Sequence, residues 1–89
     1  MMSNYEKELL FAAWENYKKT GSKQYGFLMK SSETAVHYQT AANRLVEIGF
    51  IAPVSNNFRS DALYLSRSEL TLVYRLLPPA FDYLETLKA

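Results

Sequence analysis

Apolar residues recur on a helical period in two long stretches of this chain, and in shorter, strand-like runs beyond residue 50. In the first stretch Tyr5, Leu9, Leu10, Ala13 and Tyr17 form one stripe, with Phe11 and Trp14 close by. That is the spacing of an amphipathic helix. Ser3 and Glu6 have the spacing of a capping box, and Thr20-Gly21 offers a left-handed residue where the helix ends. Lys18 and Lys19 fall in the last turn, where cations offset exposed carbonyls. The pattern predicts a helix from Ser3 to Thr20. Residues 22–32 are broken by Gly26, and Tyr25, Phe27, Leu28 and Met29 seek burial. One to two helical turns or a brief extended piece would both serve there.

A second helix is predicted over 33–48, with Ser32 as N-cap, Glu33 in its first turn and Gly49 just past its end. Val36, Ala41, Leu45 and Ile48 define its expected core stripe, edged by Tyr38, Ala42 and Val46. The face left over carries Thr34, His37, Gln39, Thr40, Asn43, Arg44 and Glu47, rich in amides and hydroxyls. After Gly49 the period shortens. Phe50–Val54 reads as a strand held to an edge or an end by Pro53. Residues 62–65 are a further strand candidate, and 70–77 is the clearest strand, rich in β-branched and aromatic residues. Pro78-Pro79 ends it, and Pro79 suits the first position of a last helix whose apolar face is Ala80, Phe81, Leu84 and Leu87.

With 89 residues the chain makes one domain, and its 48% hydrophobic content is that of a globular protein. The absence of cysteine excludes disulfides and thiolate metal sites, and a single histidine excludes any site needing two. No apolar run is long enough to span a membrane, and the polar start MMSNYEKE does not read as a secretory signal, so a cytoplasmic protein is expected. Net charge is only +1, yet its distribution is uneven. Residues 16–46 hold Lys18, Lys19, Lys23, Lys30 and Arg44 against Glu33 alone, while the segments on either side are mildly acidic. A basic middle of this kind is an electrostatic footprint for nucleic acid.

Helices flanking a small antiparallel hairpin make an α+β domain, and the common small solution is a winged helix, a helix-turn-helix variant with a β wing and a C-terminal helix. The stretch Asn43–Ile51 resembles the end of a winged-helix recognition helix, where a leucine and an aliphatic residue precede a glycine and the first wing strand. Tyr74–Glu85 resembles the second wing strand running into a C-terminal helix. Many members have a threonine after the strand leucine and a glycine soon after, whereas this chain has Leu77, Pro78, Pro79 and Ala80. In this layout the chain is similar to the small YjcQ-like winged-helix proteins of bacteria and prophages. The resemblance implies a single winged-helix domain; the wing region Ser55–Ser68 is longer than a two-strand wing needs, so either it holds an additional strand at 62–65 or the wing is large.

Two functions follow as expectations. The first is binding of double-stranded DNA, with helix 33–48 in the major groove. Thr34, His37, Gln39, Thr40, Asn43 and Arg44 are the candidates for base contact, because amide and guanidinium groups match base edges. Lys18, Lys19, Lys23, Lys30 and Arg59 are the candidates for phosphate contact. The second is a homodimer or protein partner held through exposed aromatics, with Tyr17, Tyr25, Phe58, Tyr64 and Tyr83 as candidates and Trp14 assigned to the core. Catalysis is not expected. Glu33 and His37 one turn apart read as helix-surface electrostatics, no glycine-rich phosphate loop is present, and nothing in the spacing suggests a metal or cofactor.

Overall fold

The computed structural model describes residues 3–29, 31–55 and 70–88. Their order is α1 (Asn4–Thr20), β1 (Gln24–Leu28), α2 (Ser32–Glu47), β2 (Ile51–Pro53), β3 (Thr71–Leu76) and α3 (Pro78–Lys88). The strands form one antiparallel sheet in the order β1-β3-β2. The expected α+β class is observed, with three helices and a small sheet. The strand candidate at 62–65 and most of the 55–68 wing lie outside the described residues.

The helix ends are built as their residues dictate. At α1 the Ser3 hydroxyl accepts from the Glu6 N–H at 3.2 Å, while the Glu6 carboxylate accepts from the Ser3 N–H and hydroxyl at 3.4 and 3.1 Å. Gly21 closes the helix at φ 76, its N–H reaching Tyr17 O at 2.7 Å. At the end of α2, Gly49 takes φ 80 and donates to Val46 O, and Phe50 N–H reaches back to Leu45 O at 2.9 Å. This pair of bonds is a Schellman turn, and it aims the chain straight into β2.

Residues 24–28 are extended, which settles the segment that the sequence left open between helix and strand. Pairing with β3 decides it: Gly26 sits opposite Val73, and Met29 N–H bonds Leu70 O at 2.8 Å. Isolated helical turns of this length cannot offer comparable hydrogen bonding. The first residue of α2 is Ser32, with Ser31 in the N-cap place expected of Ser32. Likewise α3 begins at Pro78, one residue before the expected Pro79.

Alternation along β3 divides the sheet into two faces. Leu72, Tyr74 and Leu76 are buried, and with Phe27 of β1 and Ile51 of β2 they meet Leu9, Leu10 and Ala13 of α1. Thr71, Val73 and Arg75 have the opposite parity and lie on the outer face. The core also corrects the expected phase of α2. Ala35, Tyr38, Gln39, Ala41, Ala42 and Leu45 face inward, while Val36 and Ile48 are 56% and 53% exposed. Leu87, expected on the apolar face of α3, is also exposed, although Ala80 and Leu84 are buried.

Tyr74 is the largest fully buried side chain among the described residues, and its hydroxyl donates to Leu9 O of α1 at 2.5 Å. That carbonyl has a second lone pair for the helix's own hydrogen bond. Tyr74→Phe therefore removes one buried bond without stranding an acceptor, and is expected to cost about 1 kcal/mol. Thermal unfolding should show a midpoint roughly 4–8 °C lower, with an unchanged far-UV spectrum.

Candidate nucleic-acid interface

The outward face of α2 is fixed by what its inward face must do. Tyr38 is 3% exposed and donates its hydroxyl to the Glu8 carboxylate, 3.0 Å from each oxygen. Its ring packs on Phe27 at 4.9 Å and takes the edge of Tyr5 at 5.0 Å. These contacts lock the rotation of α2 against α1. Burial and the acceptor bond to Glu8 push the Tyr38 phenol up to about 12, and burial drives the Tyr74 phenol higher still.

His37, Thr40 and Arg44 then share one exposed stripe, three and four residues apart. With Ser3, Tyr5, Glu6 and Ala41 they line a shallow groove of about 200 Å³ between α2 and the start of α1. His37 lies flat on Tyr5, with ring centroids 5.2 Å apart. Thr40 donates its hydroxyl to Val36 O at 2.8 Å. Arg44 keeps 68% of its side chain exposed and stands 3.9 Å from the buried Glu6 carboxylate. At 3.9 Å the contact is too long for a hydrogen bond, and the water-exposed guanidinium end stays available to a ligand.

The other expected base contacts do not share this stripe as readers. Gln39 is 6% exposed and belongs to the buried side of α2, which corrects its assignment. The correction follows from the helix phase, since Gln39 lies four residues after the buried Ala35 and three before the buried Ala42, on their face of the helix. Asn43 is half-buried and donates its amide to Gln39 O at 2.9 Å. Thr34 serves the start of the helix: its hydroxyl lies 2.7 Å from Met29 O and accepts from the Ser31 N–H at 3.3 Å.

The expected phosphate contacts gather elsewhere. Lys18 pairs with Glu15 at 2.8 Å and lies 5.9 Å from the Trp14 ring centre. Lys23 stands 5.8 Å from the Phe81 ring centre, and Lys19 is exposed at the end of α1. Twelve residues of helix separate Lys18 from Glu6, the partner of Arg44, a rise of about 18 Å. The basic group and the α2 stripe are thus two regions at opposite ends of α1. Lys30 and Arg59 lie outside the described residues.

One cation was missed in the sequence. Arg75 is exposed on the outer face, opposite Gln24, and with residues 21–26 it lines an open concavity of about 660 Å³. Among the described residues, Lys19, Lys23 and Arg75 make no ion pair with a carboxylate. Strand parity could have revealed Arg75, the only charged position within the apolar run 70–77. Of the aromatic candidates, Tyr17, Tyr25 and Tyr83 are half-buried against the core, and Phe58 and Tyr64 lie outside the described residues. Trp14 is core, as expected, at 8% exposure. Among the described residues no group of three acidic or histidine side chains is placed to hold a metal ion, and no helix is long and apolar enough to cross a membrane.

These placements predict separate effects for neighbouring substitutions. Gln39→Ala is expected to lose about 1–3 kcal/mol in denaturant unfolding, because it empties a buried polar position. Arg44→Ala should stay within about 1 kcal/mol of the parent. Alkaline stability follows from the phenols. Their folded-state pKa values lie above the ordinary 10, so their contribution is complete below pH 10 and is lost as pH rises through the Tyr38 value of about 12. Unfolding midpoints measured across that window should fall with pH, and fall less steeply in Tyr38→Phe.

The chain matches no protein-family model, and comparisons with the curated proteins and with the solved structures found no match.

Proposed function

We propose that this chain is a non-catalytic, winged-helix-like module that binds double-stranded DNA. The observation that carries the proposal is the exposed stripe of His37, Thr40 and Arg44 on α2, a helix that turns at Gly49 directly into a β1-β3-β2 sheet. In a winged helix the recognition helix stands in the same relation to its sheet and enters the major groove. Arg44 can address guanine edges there, and Thr40 and His37 offer further polar contacts. The cations Lys18, Lys19, Lys23 and Arg75 approach the backbone as a second, sequence-independent contact.

One departure from a helix-turn-helix shapes the mechanism. Only residues 29–31 separate β1 from α2, so no helix directly precedes α2, and α1 takes over its support through Tyr5, Glu6 and Glu8. A second reading, contact with a protein partner through α2, is favoured by the exposed Val36 and Ile48. Glu33 and Glu47 near the ends of the helix also oppose close approach of phosphates.

Fluorescence anisotropy with a random-sequence duplex at several salt concentrations separates the two. If the four basic residues each neutralise one phosphate, log K falls with log salt at a slope of about −3.6, and Lys19→Ala with Arg75→Ala brings it to about −1.8. Arg44→Ala should lower discrimination between sequences and leave the slope closer to its parent value. Absence of binding at low salt would overturn the DNA proposal and move the weight to a protein partner.

A further inference from the structure

We propose that the free edge of β1 is a self-association surface, on which a second copy of this chain pairs its own β1 antiparallel. Association through this edge is independent of DNA binding, and the hydrogen-bond parity of the sheet points to it. Leu76 N–H bonds Lys23 O and Met29 N–H bonds Leu70 O, each at its place in the β1–β3 register. In an antiparallel ladder the residues of that parity face β3, so the backbone groups of Gln24, Gly26 and Leu28 point away from the sheet. Gln24 is satisfied locally: its N–H reaches the Ser22 hydroxyl, and its carbonyl accepts from Ser22 and from the Asn16 amide at 3.3 Å. Gly26 and Leu28 have no such partners among the described residues, and both are exposed.

The two edges of the sheet differ in protection. The β2 edge is three residues long, carries Pro53, and ends where the Val54 and Ser55 N–H groups both turn onto Val73 O. Short length, proline and local distortion are the ordinary guards of a sheet edge. The five residues of β1, Gln-Tyr-Gly-Phe-Leu, contain no proline and no charge. Such an edge is a template for another strand.

Three features fit a second copy of the same strand. Centred on Gly26, antiparallel self-pairing sets Gly26 against its own copy, Tyr25 against Phe27, and Gln24 against Leu28, the last pair exchanging the local bonds of Gln24 to Ser22 and Asn16 for bonds across the two strands. The half-buried Tyr25 thereby gains an aromatic neighbour, a favourable cross-strand pair. The flank of α1 beside this edge also fits. Asn16 lies against Gln24, and two strand residues equal about four residues of helix, which places Ala12 beside Gly26. A small side chain at the crossing lets the two α1 helices approach, with Glu8 and Lys19 bringing opposite charge on either side of it. Finally, antiparallel pairing sends the basic groups of the two chains to opposite ends of the joined sheet, where they do not repel.

Sedimentation velocity and light scattering on the full chain, from micromolar to millimolar concentration, test this. The expected result is a concentration-dependent species of twice the 10.3 kDa chain mass. Gln24→Glu with Leu28→Glu places like charges opposite each other twice across the pair, while the new carboxylate at position 24 still faces Arg75 within its own chain. It should weaken association roughly tenfold or more. Gln24→Glu with Leu28→Lys places opposite charges in the same register and should restore it. Circular dichroism confirms that both variants fold. A parent that stays monomeric throughout, or a dimer indifferent to both variants, would overturn the proposal.

Discussion

The buried phenol of Tyr74 is the contact on which the rest of the arrangement depends. It sits in the central strand, pairs across β1 with Tyr25 and across β2 with Pro53, and bonds the α1 backbone at Leu9. A slip of one residue along β3 would turn Tyr74 to the outer face and bring Arg75 into the core. Burying an unpaired guanidinium costs several kcal/mol, and so does exposing the tyrosine and its apolar neighbours. The register is therefore held from both directions. It follows that Arg75 stands outside, opposite Gln24, and that Gly26 and Leu28 carry the free edge.

A second phenol performs the corresponding task for α2. Tyr38 bonds Glu8 and packs on Phe27 and Tyr5, so the rotation of α2 is determined by contacts with α1 and β1. His37, the residue before it, is carried onto the Tyr5 ring, and Arg44 is carried to Glu6. Helix α1 is thus the common support of the α2 stripe and the sheet, with its two ends serving different regions. The capping box at Ser3 fixes Glu6 on its carboxylate side, and that residue is also the partner of Arg44. A local helix-capping device is in this way also part of the groove beside α2.

Much of this was legible in the sequence wherever a local interaction decides the outcome. The Ser3–Glu6 box, the glycines after both long helices and the β-branched run before Pro78 are signals of that kind. The phase of α2 was not legible, because hydrophobicity alone places Val36 and Ile48 inside. What decides the phase is shape and hydrogen bonding: alanines at 35, 41 and 42 allow close packing, and Tyr38 must reach Glu8. Gln39 lies on the face of Ala35 and Ala42 and turns inward with them. The 22–32 segment was ambiguous because its strand exists only through pairing with residues nearly fifty positions later. Arg75 belongs to that same long-range pairing.

If the chain binds DNA as proposed, the separation of charge from polar chemistry along α1 has a consequence. If phosphate contact resided on α2 itself, Glu33 and Glu47 would oppose it and Arg44 alone could not offset them. With Lys18 about 18 Å along α1 from Glu6, the proposed binding would divide long-range attraction and close recognition between two regions joined by one helix. Such a division allows weak, sequence-independent attraction to operate while α2 presents a face of low net charge. Discrimination would then depend on hydrogen-bond geometry at Thr40 and Arg44, where small displacements matter most. The tight bracing of α2 by Tyr38 and Tyr5 is what such a mechanism requires, because a loosely held helix would lose that geometry before it lost its charge.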